Sequence, residues 1–132
     1  MATVVVVDDD SLIARMHARM LEILGYEAHE FRSPAECLEW LDHNRADLGL
    51  FDLAMRGTDG VELLEELQLG GRNFPVIFVT GEPAGHLARE ARQAGATAVV
   101  GKPLSMDILQ ALVEATPGLA GSHGQLARSG AY

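Results

Sequence analysis

The sequence has little cysteine and no closely spaced histidines. Cys37 is the single cysteine among 132 residues, which excludes an intrachain disulfide and a zinc site with several cysteines. The five histidines are scattered, without the short spacings of a histidine metal site. We therefore expect no metal site built from cysteine or histidine.

Positive charge is also scarce. Acidic residues outnumber basic residues by 19 to 10, and the formal net charge is −9. Proteins that bind nucleic acid directly need a basic surface that displaces phosphate counterions, so this composition argues against that function. Nine of the ten basic residues are arginine, which leaves Lys102 as the sole lysine. A chain that keeps only one lysine raises the question of what its ammonium group does.

Long apolar segments and a basic amino-terminal segment are missing as well. The apolar runs are far shorter than the ~20 residues of a membrane-spanning helix. A secretory signal begins with basic residues, whereas the first three residues here carry none and aspartates follow at positions 8 to 10. We expect a cytoplasmic protein that does not contact a membrane.

The hydrophobic pattern predicts five strands that alternate with five helices. Continuous runs of apolar residues indicate strands that are buried on both faces. The predicted strands are Val4–Val7, Tyr26–Phe31, Asp47–Phe51, Phe74–Val79 and Thr97–Val100. Capping residues and apolar spacing place the helices at 11–24, 34–43, 61–67, 83–94 and 105–116, and 53–60 is predicted to be a loop. This alternation predicts a doubly wound α/β fold, with a parallel sheet and helices on both faces.

Residue spacing further predicts the core and the domain boundary. Buried positions are expected on the first helix, at Leu12, Met16, Met20 and Ile23 or Leu24, and at Cys37 on the second helix. The histidines are expected at the surface or its boundary. An apolar fraction of 48% is enough for one packed domain, predicted over residues 1–116. The composition becomes rich in Gly, Ser and Ala after Pro117, so 117–132 is predicted to be a tail or linker.

Polar residues follow the predicted strands at their carboxyl ends, where ligands bind in doubly wound sheets. They are Asp8 and Asp9 after the first strand, Asp52 after the third, Thr80 after the fourth and Lys102 after the fifth. Clustered carboxylates favour a hard divalent cation such as Mg²⁺. A hydroxyl and an ammonium group suit the oxygens of a phosphoryl group, and a carboxylate can be the nucleophile that forms an aspartyl phosphate. Asp52 is favoured as that nucleophile because it stands alone on the central strand, whereas the other two can share the metal.

With these motifs, the sequence resembles the receiver domains of response regulators in two-component signalling. The matching segments are Asp8-Asp9-Asp10, Asp52 to Gly60, Val79 to Glu82, Ala94-Gly95-Ala96 and Lys102-Pro103. The resemblance covers almost all of the predicted domain. It implies a flavodoxin-like parallel sheet of five strands in the order 2-1-3-4-5, with helices on both faces.

The resemblance also implies roles for individual residues. Asp52 would accept a phosphoryl group from a sensor histidine kinase, a phosphotransfer protein or acetyl phosphate. Thr80 would donate a hydrogen bond to that group and Lys102 would pair with it, beside a cis Lys102-Pro103 bond. The implied Mg²⁺ ligands are Asp9, Asp52 and the backbone carbonyl of Ala54, with Asp8 acting through water. On this hypothesis the protein is not an enzyme beyond phosphorylation and dephosphorylation of its own aspartate.

Three positions depart from the usual pattern of that family. Arg56 stands where proline is usual, Val99 where an aromatic residue is common, and Leu104 where phenylalanine is common. Two alternatives remain open at this point: a docking module that works without phosphate, and an aspartyl-nucleophile phosphatase. The second lacks the acid usual two residues after the nucleophile, since Ala54 is there.

The expected partners of such a domain are proteins. They are the kinase or phosphotransfer protein, a downstream protein or an output domain of the same chain, and a second copy in a homodimer. The expected partner surface is formed by the fourth helix, the fifth strand and the fifth helix, and it carries His86, Arg89 and Arg92.

Overall fold

The computed structural model describes residues 1–119, in which a five-stranded sheet lies between helices. The strands of this sheet are β1 (Thr3–Val7), β2 (Glu27–Phe31), β3 (Leu48–Asp52), β4 (Val76–Thr80) and β5 (Ala98–Gly101). The helices are α1 (Ser11–Ile23), α2 (Pro34–Leu41), α3 (Gly60–Leu69), α4 (His86–Gln93) and α5 (Met106–Ala115). Every predicted strand and helix is therefore present, with ends that differ by a few residues.

The sheet is entirely parallel and its strand order is β2-β1-β3-β4-β5. Every residue of β3 and β4 is buried, which explains why these strands appear in the sequence as continuous apolar runs. The predicted flavodoxin-like fold class and strand order are confirmed. Because the strands are parallel, their carboxyl ends all lie at one edge of the sheet.

The side chains of β1 point alternately to the two faces of the sheet and so divide the core into two halves. Val4 and Val6 pack in the half that contains residues of α1 and α5. Val5 and Val7 pack in the half that contains residues of α2, α3 and α4. All four valines are fully buried, so β1 contributes to both halves of the core, as β3 and β4 also do.

Side-chain caps begin four of the five helices. The capping residues are Asp10 for α1, Ser33 for α2, Asp59 for α3 and Ser105 for α5. Each accepts a hydrogen bond from a backbone N–H in the first turn, which satisfies a donor that the helix leaves unpaired. Helix α4 begins after Gly85 without such a cap.

The buried face of α1 differs from the prediction. Leu12 is 79% and Met16 is 41% exposed, so the expectation that they form the core was wrong. Of the alternatives Ile23 and Leu24, Ile23 is 63% exposed and Leu24 packs against the core. The buried residues are Ala14, His17, Ala18, Met20 and Leu21. The buried face thus combines small alanines with Met20 and Leu21, and the large apolar side chains of Leu12, Met16 and Ile23 lie on the outer face. The expectation that all histidines lie at the surface was wrong for His17, which is 3% exposed.

The predicted loop at 53–60 contains a short β-hairpin. Ala54–Met55 pairs in antiparallel fashion with Thr58–Asp59, and Gly57 between them has a φ of +81°. Glycine adopts this left-handed conformation without steric cost. Strands of two residues carry no periodic pattern, which is why the sequence did not indicate them.

The predicted tail falls largely outside the described residues. Residues 120–132 are not described, and of the three that are, Leu119 is buried in the half of the core with α1 and α5. Cys37 is fully buried, as predicted. Within residues 1–119, no helix is long and apolar enough to cross a bilayer.

Candidate functional site

The predicted site residues all follow strands at the carboxyl edge of the sheet. Asp8 and Asp9 come directly after β1, Asp52 and Thr80 are the last residues of β3 and β4, and Lys102 comes directly after β5. The registers between neighbouring strands place Asp52 opposite Val79, and Thr80 opposite Gly101. The order β1-β3-β4-β5 therefore sets these groups side by side along one edge.

Three carboxylates meet at this edge. Asp8, Asp9 and Asp52 each offer one oxygen atom, and these three atoms lie within 4.8 Å of one another. Asp8 and Asp52 are 1% and 6% exposed, whereas Asp9 faces solvent more openly. Burial raises the pKa of Asp52, and the charge of Asp8 raises it further, against the opposing effect of Lys102. Ionising the whole cluster is therefore costly unless a cation balances it.

Lys102 supplies part of that balance. Its Nζ atom lies 3.2 Å from Oδ1 of Asp52 and 3.6 Å from Oδ2 of Asp8. Partial burial lowers the pKa of Lys102, but the Asp52 and Asp8 carboxylates outweigh this effect, so that the pKa is raised overall. The ammonium group is thus held in its charged form between the two buried carboxylates.

The carboxylate oxygens are unevenly satisfied, and this pattern suits a further cation. Oδ1 of Asp8 accepts a hydrogen bond from the backbone N–H of Asp10 at 2.9 Å. Oδ2 of Asp8 is buried and has no hydrogen bond, since Lys102 Nζ is too distant for one. A hard divalent cation such as Mg²⁺ prefers oxygen ligands and a few carboxylates, so the residues present fit it. Asp8, Asp9 and Asp52 would hold such an ion.

Ala54 and Thr80 lie beside this cluster. Ala54 is the first residue of the hairpin, and a backbone hydrogen bond from it is among the interactions that favour the ionised form of Asp52. Thr80 is 7% exposed, and its Oγ1 accepts a hydrogen bond from the backbone N–H of Glu82 at 3.1 Å. The Lys102-Pro103 peptide bond is cis, as the resemblance implied.

A family model for the response regulator receiver domain matches residues 4–114. The chain belongs to this family. The match covers the whole five-stranded sheet except the first residue of β1. It also includes the site residues at the carboxyl edge of the sheet, which form the acidic edge: Asp8, Asp9, Asp52, Thr80 and Lys102.

Curated relatives of this receiver domain include a transcriptional regulator and a response regulatory protein. The DNA-binding transcriptional regulator NtrC of Escherichia coli strain K12 is 38% identical over 109 residues, which cover 83% of this chain and 23% of NtrC. The tetrathionate response regulatory protein TtrR of Salmonella typhimurium is 32% identical, over 86% of this chain and 55% of TtrR. The receiver domain thus spans about a quarter to a half of these relatives.

Solved structures show the same architecture. A CheY-like receiver domain protein from Methanospirillum hungatei JF-1 superposes with a TM-score of 0.81 at 28% identity, over 92% of this chain and 98% of that one. The chemotaxis protein CheY4 of Vibrio cholerae superposes with a TM-score of 0.82 at 25% identity, over 88% and 98% of the two chains. The fold of this receiver domain is therefore the fold of its family.

Two residues near the site were not assigned a role from the sequence. His17 is buried on α1, and burial lowers its pKa; the charge of Asp8 opposes this effect and the charge of Lys102 adds to it. The backbone N–H of Arg56 donates a hydrogen bond to Oδ2 of Asp9 at 3.1 Å. His17 fits the spacing of Ala14, Ala18 and Leu21, which could have indicated its burial. The bond from Arg56 depends on the hairpin, which the sequence did not indicate.

The other departures from the family pattern lie in the core. Leu104 is 5% exposed and packs in the half with α1 and α5, and Val99 is half-buried against the half with α2, α3 and α4. Both side chains are therefore packing residues in this receiver domain.

Proposed function

We propose that this receiver domain is a phosphoacceptor, in which Asp52 takes a phosphoryl group from a phosphohistidine of a sensor histidine kinase or phosphotransfer protein. The observation that carries the proposal is the position of Asp52, which is buried, close to the other two carboxylates and 3.2 Å from the only lysine of the chain. A carboxylate in this setting can act as a nucleophile while the neighbouring cation stabilises the charge of the product.

The transfer step is a displacement at phosphorus. A carboxylate oxygen of Asp52 forms a new P–O bond while the P–N bond of the phosphohistidine breaks. The electron pair of the broken bond stays on the imidazole nitrogen, which then takes up a proton. With acetyl phosphate as the donor, the P–O bond to the acetyl group breaks instead, and acetate leaves with the electron pair. A bound Mg²⁺ would neutralise charge on the phosphoryl oxygens.

The residues of this chain supply the remaining contacts. Lys102, already 3.2 Å from Asp52, would pair with an oxygen of the phosphoryl group. The Thr80 hydroxyl accepts from the Glu82 N–H and keeps its own hydrogen, which it would donate to another phosphoryl oxygen. The backbone carbonyl of Ala54 is proposed as an Mg²⁺ ligand beside Asp9 and Asp52.

The proposal makes this receiver domain a switch for other proteins. We propose that it works in the cytoplasm, acts on no substrate besides its own aspartate, and passes its signal to an output domain, a downstream protein or a second copy of the chain. NtrC is a DNA-binding protein of which this chain spans 23%, and we propose that the receiver domain does not itself bind DNA. This agrees with the acidic composition of the chain.

The test is phosphorylation of the whole chain by acetyl phosphate with Mg²⁺, followed by intact-mass spectrometry. We expect the mass of one phosphoryl group to be added to the native chain and to Asp107→Asn, which changes an exposed carboxylate on α5. Asp52→Asn should gain none. Equal labelling of Asp52→Asn would reject the proposal, and sustained hydrolysis of phosphate esters would favour a phosphatase instead. Partner binding that is unchanged in Asp52→Asn would favour the docking module.

A further inference from the structure

Arg56 contacts the acidic edge of the site through two separate groups. Its backbone N–H donates to Oδ2 of Asp9 at 3.1 Å, and its Nε lies 4.0 Å from the same oxygen. Arg56 is at the turn of the hairpin, between the paired segments Ala54–Met55 and Thr58–Asp59. The hairpin therefore holds the backbone of Arg56 against the most exposed of the three carboxylates, with the side chain in solvent beside it.

Arg56 reduces the excess of negative charge at this edge, where three carboxylates face two cations. Among the described residues, ion pairs to the three clustered carboxylates come from Lys102, which pairs with Asp8 and Asp52, and from Arg56, which pairs with Asp9. An incoming phosphoryl donor is an anion, and it must approach an edge that carries three carboxylates. A cation at the solvent side of the site reduces that repulsion.

The side chain of Arg56 is also free to change partners. It is 98% exposed, so its guanidinium group is not fixed by packing and its pairing with Asp9 is weak. When a divalent cation binds to Asp9, the guanidinium can leave this carboxylate at little cost and remain nearby. Its charge then opposes the metal ion and attracts the anionic donor.

We propose that Arg56 weakens Mg²⁺ binding at Asp9 and promotes phosphorylation of Asp52 by small anionic donors such as acyl phosphates. The second half of this statement rests on the proposed phosphoacceptor function, whereas the first half does not. The positive charge of the guanidinium, at the solvent-exposed side of the site, repels the metal ion and attracts the anionic donor. The backbone N–H of Arg56 holds the Asp9 carboxylate in place by its hydrogen bond.

The first experiment measures Mg²⁺ binding to the unphosphorylated chain by isothermal titration calorimetry. We expect Arg56→Ala to bind Mg²⁺ about threefold more tightly at low salt, because an exposed charge near a divalent ion acts through water. High salt should remove most of this difference by screening. Arg56→Lys should bind as the native chain does. The matched control is Arg45→Ala, which removes an exposed arginine before β3, at the opposite edge of the sheet.

The second experiment measures the rate of phosphorylation by acetyl phosphate at saturating Mg²⁺. We expect Arg56→Ala to react about threefold more slowly at low salt, and the difference to shrink at high salt. Arg45→Ala should react at the native rate. An unchanged Mg²⁺ affinity in Arg56→Ala overturns the proposal, and so does an unchanged rate. If the native chain binds Mg²⁺ but gains no phosphoryl group, the phosphoacceptor function fails, while the calorimetry still decides the effect of Arg56 on the metal ion.

Discussion

Replacement of Lys102 by methionine tests the electrostatics of the site directly. The ammonium group lies 3.2 Å from Asp52 and 3.6 Å from Asp8, and the methionine side chain keeps most of the apolar stem. At an effective dielectric constant of ~20, one unit charge at such a distance is worth about 5 kcal/mol. Desolvation of the ammonium in the folded protein offsets part of this, and Asp52 can protonate once the cation is gone. We expect a net loss of about 2 kcal/mol in the free energy of unfolding at pH 7 without Mg²⁺.

The sign of this effect depends on pH in a defined way. The pKa of Lys102 is raised by its two carboxylate partners, so its own titration leaves the contribution complete at pH 7 and removes it as the pH rises through the folded-state pKa. At low pH the contribution shrinks for a different reason, which is protonation of the carboxylates. Burial already raises the pKa of Asp52, and removal of Lys102 raises it further. The folded variant therefore keeps a proton that the unfolded chain releases above about pH 4, and its deficit grows as the pH rises toward neutrality.

Urea unfolding followed by the fluorescence of Trp40, the only tryptophan, measures this loss. The ring lies 4.6 Å from His29 and 5.8 Å from Phe31, between ring centroids, so unfolding changes its surroundings. A loss of ~2 kcal/mol corresponds to a melting temperature lower by roughly 6–10 °C. Lys102→Arg should retain most of the stability, and Mg²⁺ should restore part of it in the methionine variant. An equal deficit at pH 3 and pH 7 would refute the reasoning, because it would point to lost packing instead of lost charge.

Three further predictions concern the core. Burial raises the pKa of the Cys37 thiol to about 12, so iodoacetamide at pH 8 should leave the folded chain unmodified and label the unfolded chain; labelling of the folded chain would contradict this. Burial lowers the pKa of His17, so NMR of the imidazole should show titration below pH 6.5, and stability should decline as the pH falls below that value, less steeply in His17→Gln. Leu21→Ala should cost about 2–5 kcal/mol in urea unfolding, whereas Leu12→Ala should cost less than about 0.5 kcal/mol. Similar losses for the two leucines would be inconsistent with the buried face of α1.

The site could be predicted from the sequence because its residues follow buried strands. The valine run before Asp8 and the apolar run before Asp52 mark both the strands and their ends, and parallel strands end at the same edge. Resemblance to a known family then supplied the strand order, which apolar runs alone do not determine. Lys102 was singled out by composition and lies in contact with the two buried carboxylates.

The sequence did not predict the buried face of α1 or the contact between Arg56 and Asp9, because both depend on how distant parts of the chain meet. Leu12 and Met16 have the spacing of a buried stripe, yet the sheet packs against the smaller Ala14 and Ala18. A sequence pattern identifies a buried helix face from the hydrophobicity of its side chains alone. In the folded protein, the buried face is the one whose shape fits the neighbouring surface. The contact between Arg56 and Asp9 joins residues 47 positions apart through a hairpin that leaves no pattern in the sequence.

The position of β1, between two neighbouring strands and between the two halves of the core, has a consequence for the rigidity of the site. Strand β1 hydrogen-bonds to a neighbouring strand on each side and is covered on both faces, so its amides should be among the slowest in the protein to exchange with deuterated water. Asp8 and Asp9 directly continue that strand, and Asp52 and Thr80 end β3 and β4, which are buried and paired on both sides in the same way. Arg56, in contrast, lies in the turn of a hairpin whose strands have two residues each. The site thus has a rigid side, which the ends of the central strands form and which carries all three carboxylates, and a less constrained side at the hairpin, where the exposed side chain of Arg56 can respond to what binds there.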